Sequence, residues 1–335
     1  MKRNMIQWRD DVINDQHKKA FPILSFPVTQ LMGVTVRELI ADSEKQAEGM
    51  RIIAERNDAY GSNSLMDLSV EAECFGSPIK FSDHEIPTVS GSLVFSHDDA
   101  VNLKVPEVGS GRSGIYVEAV SKASARISDR PVFGCAIGPF SLAGRLCGVT
   151  EAMIMCYEEP KTVHMLLEKA AEFNKKYCLA YKSAGANGVV IAEPLAGMLS
   201  PSLAQEFSCA YVKRIVQEVQ DPSFIVIYHN CGNSTIQMID SILGTGAAAY
   251  HFGNAINMIE MLPKIPGDVL VMGNLDPAGQ LRDGTPETVG SAAGELLKEC
   301  SRYKNFVIST GCDIPPSAKW ENIDTFFNTV KNYYG

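Results

Sequence analysis

One feature constrains the fold of this chain more than any other. A short apolar run rich in β-branched residues keeps returning, and each time it ends in polar or turn-forming residues. Such runs fall at 21–27, 63–69, 131–138, 188–194, 224–231, 247–253, 269–275 and 306–312. A strand buried on both faces reads as a continuous apolar stretch of this kind. Between the runs lie stretches with apolar residues at helical spacing: 36–40, 43–58, 114–127, 149–157, 160–184, one opening at Ser200-Pro201, and 320–333. Eight short strands alternating with helices predict an α/β protein, a (β/α)8 TIM barrel. The competing architecture, a doubly wound open sheet, carries a Gly-x-Gly-x-x-Gly turn after its first strand. Residues 28–33 here contain one glycine.

The domain reading is a single barrel over 1–335. Residues 1–20 form an N-terminal helical extension, with Ile6, Trp8 and Val12 recurring between charged residues. Residues 70–110, with Gly76, Pro78, Pro87 and Gly91, are too long for an ordinary barrel connection. They read as an insertion after the second strand that covers one end. At 335 residues and 45% hydrophobic, the chain can bury a core of that size. A net charge of −9 with no basic block argues against a nucleic-acid surface. No apolar run reaches membrane-spanning length, and residues 1–20 do not resemble a signal peptide. Nine scattered cysteines fit a reduced, cytoplasmic setting.

Barrel chemistry sits at the C-terminal ends of the strands. Those positions hold Glu193-Pro194 on strand four, His229 and Cys231 on strand five, and His251 on strand six. Strand seven supplies Asn274 and Asp276, and strand eight Cys312-Asp313. In an extended chain residues i and i+2 face the same way, so His229 and Cys231 aim together. With Cys312 they make three nitrogen and sulfur donors suited to zinc, leaving a fourth position open as catalytic sites do. The plainer readings stand beside this one. Buried thiols are common small hydrophobes, and histidines cap loops. Glu193 can hold a loop amide, His251 reads as a hydrogen-bonded core histidine, and Asn274 and Asp276 can cap the following turn.

The combination of motifs resembles the uroporphyrinogen decarboxylase superfamily, in particular its methylcobamide:coenzyme M methyltransferase branch. The matching stretches are Met66-Asp-Leu-Ser-Val-Glu-Ala-Glu73, Gly138-Pro-Phe140, Glu193-Pro194, His229-x-Cys231-Gly232-Asn233, Gly273-Asn-Leu-Asp-Pro277 and Gly311-Cys312. They run through nearly the whole chain. The resemblance implies a (β/α)8 barrel with His229, Cys231 and Cys312 as zinc ligands. Glu193 would be a nearby acceptor or temporary fourth ligand. The implied reaction moves a methyl group from a methylated corrinoid on a carrier protein to a small thiol.

Two departures bear on this. The arginine-rich early motif of the decarboxylases is replaced by residues 26–33, which contain no arginine. Strand six offers no acidic residue at its end, only Tyr250-His-Phe-Gly-Asn254. The alternatives are a decarboxylase-like lyase acting on a porphyrinogen, and a non-catalytic barrel that binds a corrinoid or its carrier.

Overall fold

The computed structural model describes residues 3–335. Strands three to eight are Val132–Ile137, Gly188–Ala192, Ile225–Asn230, Ala249–Phe252, Leu270–Leu275 and Phe306–Thr310. They pair in chain order, all parallel. Each of these six apolar runs is a strand trimmed by a few residues at its ends. Side chains alternate between two environments. Ile225, Ile227, Ala249, Leu270, Met272 and Val307 fill the barrel interior, while Val226, Tyr228, Tyr250, Val271 and Phe306 pack outward against the helices. The period of two that defines a strand thereby divides interior from exterior.

The first two staves differ from expectation. The second strand is only Ser62–Asn63, paired with Val132 and Phe133. Ser64 N still donates to Phe133 O at 2.9 Å, but residues 65–69 leave the sheet, so the predicted strand over 63–69 is corrected to two residues. Side chains replace the missing ladder. Ser64 Oγ accepts from Cys135 N at 2.9 Å, and Glu71 Oε1 accepts from Ile137 N at 2.8 Å.

The first stave, predicted over 21–27, is an extended segment without a regular ladder. Pro22 has no N–H to give. The segment still bridges both edges: Phe21 N donates to Ile308 O at 3.0 Å, and Tyr60 N donates to Ala20 O at 3.0 Å. Asn63 Nδ2 adds a bond to Pro22 O at 3.1 Å. These contacts close the barrel.

The N-terminal extension forms the helix Met5–Asn14, capped by Asn4 through Ile6 N and Gln7 N. Its buried face, Met5, Trp8, Val12 and Ile13, plugs the bottom of the barrel. Trp8 lies 5.7 Å from Phe133 and 6.3 Å from Phe21, ring centre to ring centre. The insertion contains the helix Val70–Cys74, an antiparallel hairpin of Ile79–Lys80 with Thr88–Val89, and the helix His97–Asn102. Leu93 N and Val94 N both donate to Leu146 O, which lays the insertion over the helix Pro139–Cys147 that follows strand three. No helix among the described residues is long and apolar enough to cross a membrane.

Candidate metal centre

Strand five is buried along its whole length. Ile225 and Ile227 point into the barrel, so parity sends His229 inward as well. Its register partners are Ala192 on strand four and His251 on strand six. Cys231 follows one residue beyond the strand with the same parity. Asn230 holds the turn there. Its Oδ1 accepts from Gly232 N at 3.0 Å and from Thr235 Oγ1 at 2.7 Å.

Glycines permit the close approaches around Cys231. A Cβ on Gly253 would lie 2.3 Å from Cys231 Cβ, and one on Gly232 would lie 2.3 Å from Gly197 Cα. Cys312 sits two residues past strand eight. Gly311 N donates to Leu275 O at 2.6 Å, and Ile314 N donates to Ile23 O at 3.1 Å, pinning the segment on both sides.

The sequence singled out three donors, and the fold brings them together. One ligand atom each from His229, Cys231 and Cys312 lies within 4.8 Å of the others, and the group contains no carboxylate. His229 is buried, and among the described residues its Nε2 has no hydrogen-bond partner. A buried polar atom left alone costs about 1–3 kcal/mol. A lone pair facing two sulfurs is what a soft dication would satisfy, so the donor set fits zinc.

The two thiols interact unequally. Hydrogen bonding with Cys312 pulls the Cys231 thiol below its usual range, and the same bond with burial pushes Cys312 up to about 12. Removing both protons leaves two thiolates side by side, which calls for a cation.

Glu193 is fully buried on the neighbouring strand end. Its Oε1 accepts from Phe140 N at 2.9 Å, and its Oε2 accepts from Ser141 N at 2.9 Å and Ser141 Oγ at 2.6 Å. It therefore sits at the N-terminus of the helix Pro139–Cys147, where the amides favour an anion. Burial pushes its carboxyl up to about 7 against the pull of those bonds. Asn274 Nδ2 donates to Gly253 O and Ile256 O, holding the turn after strand six. Asp276 Oδ1 caps Ala278 N and Gly279 N.

Sequence reasoning missed a network at the same end of the barrel. Asp67 accepts from Arg112 Nη1, Tyr116 Oη at 2.8 Å and Ser69 Oγ at 2.6 Å. Arg112 also reaches Glu73 Oε2 at 2.7 Å. This fixes the start of the helix Ser113–Arg126 to the turn after the second strand. The partners are 45 residues apart, with an irregular insertion between them, so no local pattern announced them. The guanidinium is consumed by its two carboxylates.

Comparison with known proteins bears on this site. The family model described as uroporphyrinogen decarboxylase (URO-D) matches residues 23–333. The chain is 27% identical over 303 residues to the methylcobamide:CoM methyltransferase of Methanosarcina acetivorans, covering 87% of this chain and 86% of that protein. It is 29% identical over 269 residues to the uroporphyrinogen decarboxylase of Coxiella burnetii, covering 75% and 72%. Among solved structures, a methyltransferase from Methanosarcina mazei superposes over the full length of both chains with a TM-score of 0.86 at 20% identity. That likeness establishes the TIM-barrel-like fold.

Proposed function

The chain belongs to the uroporphyrinogen decarboxylase family, and on that footing we propose that it transfers a methyl group from a methylated corrinoid to a small thiol. In this reading a carrier protein presents the corrinoid, and His229, Cys231 and Cys312 hold zinc. The convergence of one imidazole nitrogen and two sulfurs within 4.8 Å carries the proposal. Similarity to methylcobamide:CoM methyltransferases over nearly nine-tenths of the chain supports it.

Zinc at such a site lowers the pKa of an incoming thiol and holds it in place. The protein's share is to set the charge. Cys231 and Cys312, as thiolates, would already balance the charge of a bound dication, leaving the sulfur of an incoming thiol electron-rich and nucleophilic. Its lone pair forms the new S–CH3 bond. The Co–C bond breaks with both electrons left on cobalt, and the thiol proton goes to solvent. Glu193 serves this arrangement by fixing the start of the helix Pro139–Cys147 to the end of strand four.

A corrinoid is too large to enter the barrel interior, so it must be met at the mouth. Leu31, Met198 and Ile259 follow staves one, four and six at that end and are 39%, 60% and 42% exposed. Apolar side chains placed there suit a protein that docks. A decarboxylase reading fares worse. Residues 26–33 bring no arginine, and Arg112 is already paired, so a substrate bearing many carboxylates would find no free cation in either place.

The test is to incubate zinc-loaded protein with methylcobalamin and a panel of small thiols. Cobalt demethylation is followed by absorbance and the methyl thioether by mass spectrometry. Thiol-dependent demethylation is expected. Absence of product across the panel, with turnover of a porphyrinogen instead, would overturn the proposal.

A further inference from the structure

His229 does not stand alone in the barrel. Its Nδ1 lies 2.8 Å from Nδ1 of His251 and 3.3 Å from the His251 carbonyl oxygen. The other ring nitrogen of His251, Nε2, lies 2.7 Å from Ser309 Oγ. Ser309 Oγ in turn lies 2.7 Å from the Phe21 carbonyl oxygen. All four groups are buried. They come from four separate staves: five, six, eight, and the irregular first segment that closes the barrel.

The chain of bonds has a direction, set by its far end. A carbonyl oxygen can only accept, so the single hydroxyl hydrogen of Ser309 goes to Phe21 O. Ser309 Oγ must then accept, which puts a hydrogen on His251 Nε2. A neutral imidazole carries one N–H, so His251 Nδ1 is a bare acceptor. The 2.8 Å contact then requires the hydrogen on His229 Nδ1. The His251 carbonyl, a second acceptor near that atom, demands the same. What remains is His229 Nε2, without a hydrogen and without a partner, on the side of Cys231 and Cys312.

We propose that His251 and Ser309 are positioning residues that lock His229 in its Nδ1–H tautomer and so present Nε2 as a preformed lone pair to a metal. The first stave takes part through its backbone alone. The relay ties closure of the barrel at Phe21 to a histidine three staves from stave eight. A ligand histidine whose other nitrogen is held by a hydrogen bond is a stronger and better oriented donor. Here the holder is a second histidine backed by a hydroxyl, in place of a carboxylate. The metal half of the proposal rests on the reading of the three donors given above, and the tautomer half stands without it.

The full chain, labelled with nitrogen-15 histidine and stripped of metal, gives the tautomer directly by NMR. The signals of His229 are identified by their loss in His229→Gln. A pyrrole-type Nδ1 and a pyridine-type Nε2 are expected. The reverse pattern in the wild type would overturn the proposal whatever the metal does.

Zinc affinity, measured by competition with a chromophoric chelator, tests the consequence. His251→Leu should weaken zinc by about 10–100-fold. His251→Asn, whose Oδ1 can accept from His229 Nδ1, should recover most of that loss. Ser309→Ala should populate the other His229 tautomer in the NMR spectrum and weaken zinc by less than His251→Leu. Equal affinity in the wild type and in a folded His251→Leu would overturn the proposal. Failure of the wild type itself to bind zinc would instead reject the metal reading, and the NMR result would still decide the tautomer.

Discussion

His229 and His251 are register partners on adjacent strands, and their Nδ1 atoms face one another at 2.8 Å inside the barrel. One layer deeper the same two strands present Ile227 and Ala249. The interior therefore changes from apolar to polar within a single step of the β repeat. Polar groups buried beside an apolar core are tolerated only when paired, and of the four ring nitrogens of these two histidines only His229 Nε2 lacks a partner among the described residues. The candidate metal donor is thus carried on a strand rather than on a loop, with its neighbours fixed by the sheet.

Gly253 places a tight steric constraint on that arrangement. A methyl group there would fall 2.3 Å from Cys231 Cβ and 2.5 Å from its Cα. Gly253→Ala should therefore push Cys231 away and weaken zinc binding at least about 10-fold, since ligand geometry must hold to a few tenths of an ångström. Gly294→Ala is the control. It lies in the helix Pro286–Cys300 with open space around it, and it should stabilise the protein by about 0.5–1 kcal/mol without touching zinc. Chelator competition and thermal unfolding of both variants check this.

Glu193 accepts three hydrogen bonds from the start of one helix. A glutamine there turns one acceptor into a donor that faces the donors Ser141 N and Oγ. Glu193→Gln should keep zinc at one per chain and lose roughly 1–3 kcal/mol of stability, read by denaturant unfolding. Loss of zinc from a folded variant would instead place the carboxylate among the metal's own ligands.

Strands three to eight were legible in the sequence because each is buried on both faces, which writes a continuous apolar run. His229-x-Cys231 was legible because strand parity fixes where both side chains go. The first two staves were harder to read. Their pairing is carried partly by the side chains of Asn63, Ser64, Glu71, Ser309 and Thr310, and a hydroxyl or amide standing in for a strand amide leaves no periodic trace. His251 was read as a hydrogen-bonded core histidine, and it is one. Its partner Ser309 is 58 residues away, so the direction of the relay could come only from the fold.

Glu71 gives a pH dependence with a definite sign. Burial pushes its carboxyl up to about 8, and its Oε2 has no partner among the described residues. A carboxyl raised on folding keeps its proton in the native state while the unfolded chain, near 4.5, has lost it. The associated stability is complete below about pH 4.5 and is lost as pH rises toward 8, by up to roughly 5 kcal/mol. Glu193, raised to about 7, adds to the same fall. Glu71→Gln cannot ionise, so its stability should decline less between pH 5 and pH 8 than that of the wild type. Denaturant unfolding at the two pH values measures this. An identical decline in both proteins would show that Glu71 is ionised in the native state.

In the proposed site three protein donors hold zinc and leave a place for a substrate sulfur. X-ray absorption at the zinc edge, recorded with and without saturating thiol, tests it most directly. With zinc alone, the account predicts two sulfur neighbours at about 2.3 Å together with lighter nitrogen or oxygen neighbours. With a thiol that supports turnover, it predicts three sulfurs. Cys312→Ser should lower each count by one or lose the metal. A sulfur count of two that stays the same across the whole thiol panel would contradict the account.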